Sequence, residues 1–234
     1  SEPAARGPWL RLVLAVSLDG RLAPPAGGAA QLGGAADRRA LEEALAWADA
    51  ALLGAETLRR HGSTCLIHAP DLLASRARQG RSPQPAALVL SRSAHLPAGL
   101  PFWRQPLQRW WLRPAGSQAA EGQASSPNPE PPLPPGCDRV LAFSSWPQLR
   151  AALAAEGLQR LVLLGGADLA GQLLAADQVD ELQLSLCPLL LGGPHSWLPA
   201  GISLRPSHWR LLEQRPLGGH ELLLRYHRLE APGS

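Results

Sequence analysis

The residue types that bind phosphate or handle a sugar fall just after apolar runs in this chain. Gly165-Gly166 follows Leu161 to Leu164 and precedes a segment of helical periodicity. Glycine lets a backbone approach a phosphate closely, and a helix start supplies free N–H groups and a positive dipole end. The same pair also suits a plain strand-to-helix turn. Gly54-x-x-Thr57 repeats the pattern: the Thr57 hydroxyl bonds a phosphate or caps the next turn. Ser91-Arg92-Ser93 combines hydroxyls with a guanidinium, a chemistry suited to a ribose phosphate or to an exposed polar loop. In Ser17-Leu18-Asp19-Gly20, Asp19 bonds a substrate, relays a proton, or stabilises its own turn. Arg38 holds a substrate phosphate or is an ordinary helix-surface arginine.

Other chemistries are excluded by what is missing. There is no GxGxxG, no GxxxxGK[ST] and no GxSxG, so neither a Rossmann fingerprint, a P-loop nor a hydrolase elbow is present. The seven histidines show no HxH or HExxH spacing, which argues against a metal site. Three scattered cysteines, Cys65, Cys137 and Cys187, read as small apolar side chains in a reducing compartment. The net charge of +3 is too small and dispersed for a nucleic-acid groove. No apolar run reaches the roughly 20 residues of a membrane helix, and Ser1 to Gly7 has no signal-peptide core. The expected location is the cytoplasm, with no membrane and no nucleic-acid partner.

Strands are expected at 10–16, 50–53, 86–90, 108–112, 139–142, 161–164 and 182–187, and helices at 56–60, 71–78, 145–156 and 168–176. A further helix opens at Asp37, whose side chain suits the N-cap, and buries Leu41, Ala44, Leu45 and Ala48. Residues 209–214 and 221–227 read as an antiparallel pair around Gly218-Gly219. This alternation predicts an α/β fold: a mixed, mostly parallel central sheet flanked by helices, with an antiparallel C-terminal edge. The whole of 1–234 reads as one domain. The Pro/Ser/Gly-rich stretch at about 114–136 reads as a flexible insertion. In such sheets ligands bind outside the carboxyl ends of the strands, which is where the segments above fall.

In order along the chain, these segments resemble the riboflavin-biosynthesis pyrimidine reductases. Ser17-Leu18-Asp19-Gly20 matches that family's SLDG motif. Residues 50–58 (AALLGAETL) are similar to DAILVGxxTV, 88–92 (LVLSR) to VVLDR, and 163–169 (LLGGADL) to LVEGGxxL. Residues 178–182 (QVDEL) and 187–193 (CPLLLGG) are similar to LVDEL…APxLLGG. The resemblance spans roughly Leu10 to Tyr226. It implies a dihydrofolate-reductase-like fold, NADPH as hydride donor, a homodimer, and as substrate a phosphorylated ribosylamino-pyrimidine whose ribose becomes a ribityl chain. By position, Gly54, Thr57, Ser91, Arg92, Gly165, Gly166, Ala167 and Leu169 would line the cofactor site. Ser17, Asp19 and Arg38 would face the substrate, with Asp19 or a bound water as proton donor.

Departures fall on the substrate side. Leu164 stands where the family has Glu, residues 61–66 replace DDPxLT, and residues 31–34 replace SxWITS. These keep open a related NADPH reductase of a pterin or other heterocycle, and a nucleotide-binding homologue without catalysis.

Overall fold

The first apolar run forms β1 (Trp9–Ser17). Alternate side chains of a strand point to opposite faces. Leu10, Leu12, Leu14 and Val16 therefore enter one core, while Arg11 and Ser17 are buried on the other face. The computed structural model describes residues 7–27, 32–93, 96–116 and 135–229. After β1 come α1 (Ala35–Trp47), β2 (Ala50–Gly54), α2 (Ala55–His61), α3 (Pro70–Arg78) and β3 (Ala86–Leu90). Next are β4 (Arg109–Pro114), β5 (Arg139–Phe143), α4 (Trp146–Ala155), β6 (Arg160–Leu163) and α5 (Ala167–Ala175). The described chain closes with β7 (Glu181–Cys187), β8 (Trp209–Pro216) and β9 (Leu222–Arg228).

These strands form one nine-stranded sheet in the order β5-β4-β3-β2-β6-β1-β7-β9-β8. Every pairing from β5 to β7 is parallel, and β7-β9 and β9-β8 are antiparallel. The expected mixed sheet with an antiparallel edge is what the chain adopts.

Helices cover both faces. Leu149 and Leu153 of α4, with Leu169 and Leu173 of α5, pack on Leu12, Leu52, Leu88 and Leu163. On the other face Ala44 and Leu45 of α1 meet Ala51 and Val162, and Leu58 of α2 meets Leu53 and Val89. Fully burying each such leucine contributes about 1.5–3 kcal/mol. The layers therefore hold the strand ends in register.

Boundaries differ from expectation in informative places. Ser145 does cap α4, accepting from Gln148 N–H at 3.3 Å. Asp37 does not cap α1. The N-cap is Gly34, which makes no side-chain capping bond. Its own N–H donates instead to Glu221 Oε1 at 2.6 Å. A carboxylate from the residue just before the distant β9 thus answers the helix start, and Asp37 sits inside the first turn. Leu164 lies beyond β6, although its N–H still reaches Leu52 O at 2.9 Å. Of the expected insertion at 114–136, residues 117–134 lie outside the described residues, as do Ser1 to Arg6 and Gln31.

Candidate active site

Strand β2 runs into α2 without a loop, so Gly54 is both the last strand residue and the N-cap of the helix. Its N–H donates to Gly165 O at 3.1 Å, which joins the ends of β2 and β6. Gly165 has φ +99°, a conformation that favours glycine, and the Gly165–Gly166 peptide is cis. Gly166 is the N-cap of the nine-residue α5, again with no side-chain capping bond. A Cβ at Gly166 would stand 2.8 Å from Thr57 Oγ1, and one at Gly54 would stand 4.0 Å from Leu169 Cδ2. Gly54, Thr57, Gly165, Gly166, Ala167 and Leu169 are therefore brought together. Leu169 is only 6% exposed, so it shapes the floor from within the core.

Ser91 and Arg92 lie one strand away, since Gly54 pairs with Leu90. Ser91 is buried, and its hydroxyl donates to Ser93 O at 2.7 Å and accepts from Ser93 N–H at 3.2 Å. That hydroxyl staples its own turn, while the Arg92 side chain next to it is exposed. An anionic dinucleotide fits this set of groups. The glycine cradle is a space a Cβ would fill, the α5 N-terminus faces it, and a guanidinium stands at the neighbouring strand end.

A second group of candidate residues lies around the ends of β1 and β7, which pair at Ser17 and Cys187. The buried Ser17 hydroxyl donates to Asp19 Oδ1 at 2.6 Å and accepts from Arg21 N–H at 2.8 Å. Asp19 also accepts from the N–H groups of Leu191 at 3.0 Å and Gly192 at 2.7 Å, with Arg21 Nε 3.6 Å away. These donors, the Ser17 hydroxyl first, hold its carboxyl well below the usual carboxylate range. Asp19 is thus a fixed anion that ties the loop after β7 to the loop after β1. Arg38 is exposed on the first turn of α1.

Asp37 and Glu221 complete this group, and sequence reasoning missed both as site residues. Asp37 has its pKa raised by burial and by the charge of Glu221, against a hydrogen bond with Ser185. The Cys187 thiol is pushed up to about 11 by burial, then by Asp37 and Glu221. Cys65 is exposed, and the charges of Arg38 and Asp37 act on its thiol in opposite directions. The segment after α2 is held in place by Gln105, which accepts from Thr64 N–H at 3.0 Å and donates to Thr64 O at 2.7 Å. The available signal was Gly33-Gly34. Two glycines ahead of a helix leave room for side chains from elsewhere.

Residues 8–220 match the family described as the RibD C-terminal domain. The chain belongs to that family. Among solved structures it is similar to a pyrimidine reductase-like protein from Corynebacterium diphtheriae, with TM-score 0.74, 19% identity, and coverage of 96% of this chain and 93% of that one. It is also similar to Acinetobacter baumannii RibD, with TM-score 0.76 and 20% identity over 97% of this chain and 60% of that one. This family member therefore spans less than two thirds of the RibD chain it matches. A dihydrofolate reductase from Enterococcus faecalis complexed with NADP(H) gives TM-score 0.51 at 16% identity, covering 95% and 97% of the two chains. The fold is dihydrofolate-reductase-like. No curated protein matches the sequence. Among the described residues no helix is long and apolar enough to cross a membrane, and no cluster of three or more His, Cys, Asp or Glu side chains could hold a metal ion.

Proposed function

We propose that this RibD C-terminal domain is a cytoplasmic, single-domain, homodimeric reductase. It uses NADPH to convert the ribose of 5-amino-6-(5-phosphoribosylamino)uracil to a ribityl chain. The observation that carries the reading is the joined glycine cradle at the ends of β2 and β6, where Gly54 N–H meets Gly165 O and Gly166 faces Thr57. When bound, the dihydronicotinamide supplies hydride. This chain's own residues do the positioning, which is the main protein contribution in such chemistry. The N–H groups around Gly166 and Ala167 at the start of α5 bind the pyrophosphate, and Arg92 takes a phosphate on the adenosine ribose. Asp19 holds the two loops that frame the substrate, and Arg38 meets the substrate phosphate.

One observation favours a second reading. Leu164, where the family pattern has Glu, is partly buried against the apolar cluster of Leu45, Ile67 and Val162. A hydrocarbon there accepts no bond from a sugar hydroxyl, which suits a flatter substrate such as a pterin. The deciding assay adds the ribosylamino-pyrimidine phosphate to purified protein and NADPH and follows loss of the reduced nicotinamide signal. Pyrimidine-dependent oxidation with ribityl product supports the first reading. Oxidation with dihydropterin or dihydrofolate alone supports the second. NADPH binding without turnover on any of them overturns both and leaves a binding protein.

A further inference from the structure

Two aspartates near the ends of β1 and β7 are treated in opposite ways. Asp19 is surrounded by donors and held as an anion. Asp37 is disfavoured as an anion by burial and by Glu221. Carboxyls whose environments push them apart divide the roles of anion and acid at a single pH.

The geometry is specific. A Cβ on Gly33 would overlap the Asp37 carboxyl, and one on Gly34 would stand 3.2 Å from Glu221 Oε1. The two carboxyls therefore lie over consecutive glycines at the start of α1. Glu221 is 7% exposed, and its Oε1 accepts from Gly34 N–H at 2.6 Å. Its Oε2 is buried with no hydrogen-bond partner among the described residues. A buried acceptor left open is unfavourable, and a proton on a neighbouring carboxyl or on a ligand answers it. The groups that face Asp37 are Glu221 before β9, Ser185 and Cys187 on β7, and Cys65 after α2. Arg38 is its neighbour on the helix. Both thiols stay neutral near pH 7, so Glu221 and Arg38 supply the charges.

Resting on the reductase reading above, we propose that Asp37 is the acid that gives its proton to the substrate nitrogen, with Glu221 as the positioning carboxylate behind it. A sugar carbon bonded to nitrogen accepts hydride as the ring-opened C=N form. That carbon takes hydride from the dihydronicotinamide, which is oxidised, and a C–H bond forms. The π pair of the C=N bond moves to nitrogen. An N–H bond forms there as the Asp37 O–H bond breaks. The carboxylate left behind regains a proton from water.

The test uses the full chain with Asp37→Asn and Glu221→Gln, and has three readouts. In infrared spectra of the protein alone, titrated upward from pH 4, a protonated-carboxyl stretch is expected to persist in the wild type to higher pH than in Asp37→Asn. Because the folded-state pKa of Asp37 is raised, its contribution to stability falls as pH rises through the window between the unfolded and folded values. Asp37→Asn removes that loss and melts higher than wild type at pH 7. In turnover, Asp37→Asn lowers kcat by about 10²–10⁴-fold, with Kd for NADPH unchanged to within about twofold. Glu221→Gln moves the alkaline fall of kcat to lower pH, because the charge opposing Asp37 ionisation is gone. Carboxyl titrations that coincide in wild type and Asp37→Asn, or an Asp37→Asn enzyme within about threefold of wild-type kcat, overturn the role of Asp37 alone. A wild type that binds NADPH but never oxidises it with the pyrimidine overturns the reductase reading and the role together.

Discussion

The two ends of the parallel strands use the same side chain for opposite ends. At the amino ends, an aspartate one residue before a strand accepts N–H groups from the start of its neighbour. Asp49, before β2, accepts from Gln159 and Arg160, each at 2.8 Å, and pairs with Arg81 at 2.6 Å. Asp180, before β7, accepts from Leu10 N–H at 2.8 Å and pairs with Arg150 at 2.8 Å. Asp138, before β5, accepts from Arg109 N–H at 2.7 Å. First N–H groups that would otherwise be orphaned are answered, and that end is closed. At the carboxyl ends the carboxylates of Asp37 and Glu221 have glycines beside them rather than guanidinium groups, and one acceptor oxygen stays open. What separates a structural aspartate from one available for chemistry here is its neighbours, not its burial.

If that division is real, the largest effect of any aspartate change belongs to the closed end and touches stability alone. The Asp180 and Arg150 side chains are 6% and 11% exposed, so Asp180→Ala leaves the buried Arg150 guanidinium without its counter-charge and the Leu10 N–H unanswered. The expected loss is about 3–5 kcal/mol, a fall in Tm of roughly 6–20 °C. Kd for NADPH measured below the transition should stay within about twofold, because distant sites add independently. A clear loss of affinity in the folded variant would show that the two ends are coupled, and the comparison would break there.

The next effect belongs to the open end and reverses the pattern. Asp19→Ala frees the loop at Leu191 and Gly192 from the turn after β1. Misplacing a substrate loop should lower kcat on the order of 10–100-fold, more than it changes Kd for NADPH. Equal turnover would remove Asp19 from the mechanism. The pH dependence separates it from Asp37. The folded-state pKa of Asp19 is depressed, so its contribution is complete above its unfolded value of about 3.9. It is lost only as pH falls through the lower folded value. Between pH 5 and 8 the difference between Asp19→Ala and wild type should therefore stay flat. The difference for Asp37→Asn should slope.

How far the sequence could carry the site follows the same line. The cradle's parts were legible because they are local: Gly54 and Thr57 lie on one turn, as do Gly165 and Gly166, and each follows an apolar run that reads as a strand. The sheet was legible for the same reason, down to the antiparallel pair at the C-terminal edge. Asp37 was misread as a cap because the group that does answer the helix start, Glu221, is 187 positions from Gly34 in sequence. No local pattern predicts that meeting. Asp19 looked free to give a proton because Leu191 and Gly192, which occupy it, lie 172 and 173 positions away. Polar partners joined by tertiary structure are invisible to periodicity, whereas apolar partners are not, since any leucine on the right face will do.

The smallest effect tests the cradle itself. Gly166 has φ −68°, outside the left-handed region that favours glycine. The added methyl would stand 2.8 Å from Thr57 Oγ1, the end of a side chain that can rotate away. Stability should therefore change little, with Tm within about 2 °C of wild type. The methyl does occupy the space through which a phosphate would approach the α5 N-terminus. Gly166→Ala should weaken NADPH about tenfold, or 1.4 kcal/mol, in a fluorescence titration of the reduced nicotinamide. Once NADPH is saturating, kcat should recover, because the residues proposed to face the substrate are untouched. Unchanged affinity would move the pyrophosphate away from Gly166 and leave the glycine pair as a turn device. A fall in kcat that saturating NADPH does not restore would show instead that the cradle also sets the position of the nicotinamide, and that the two groups of residues act as one.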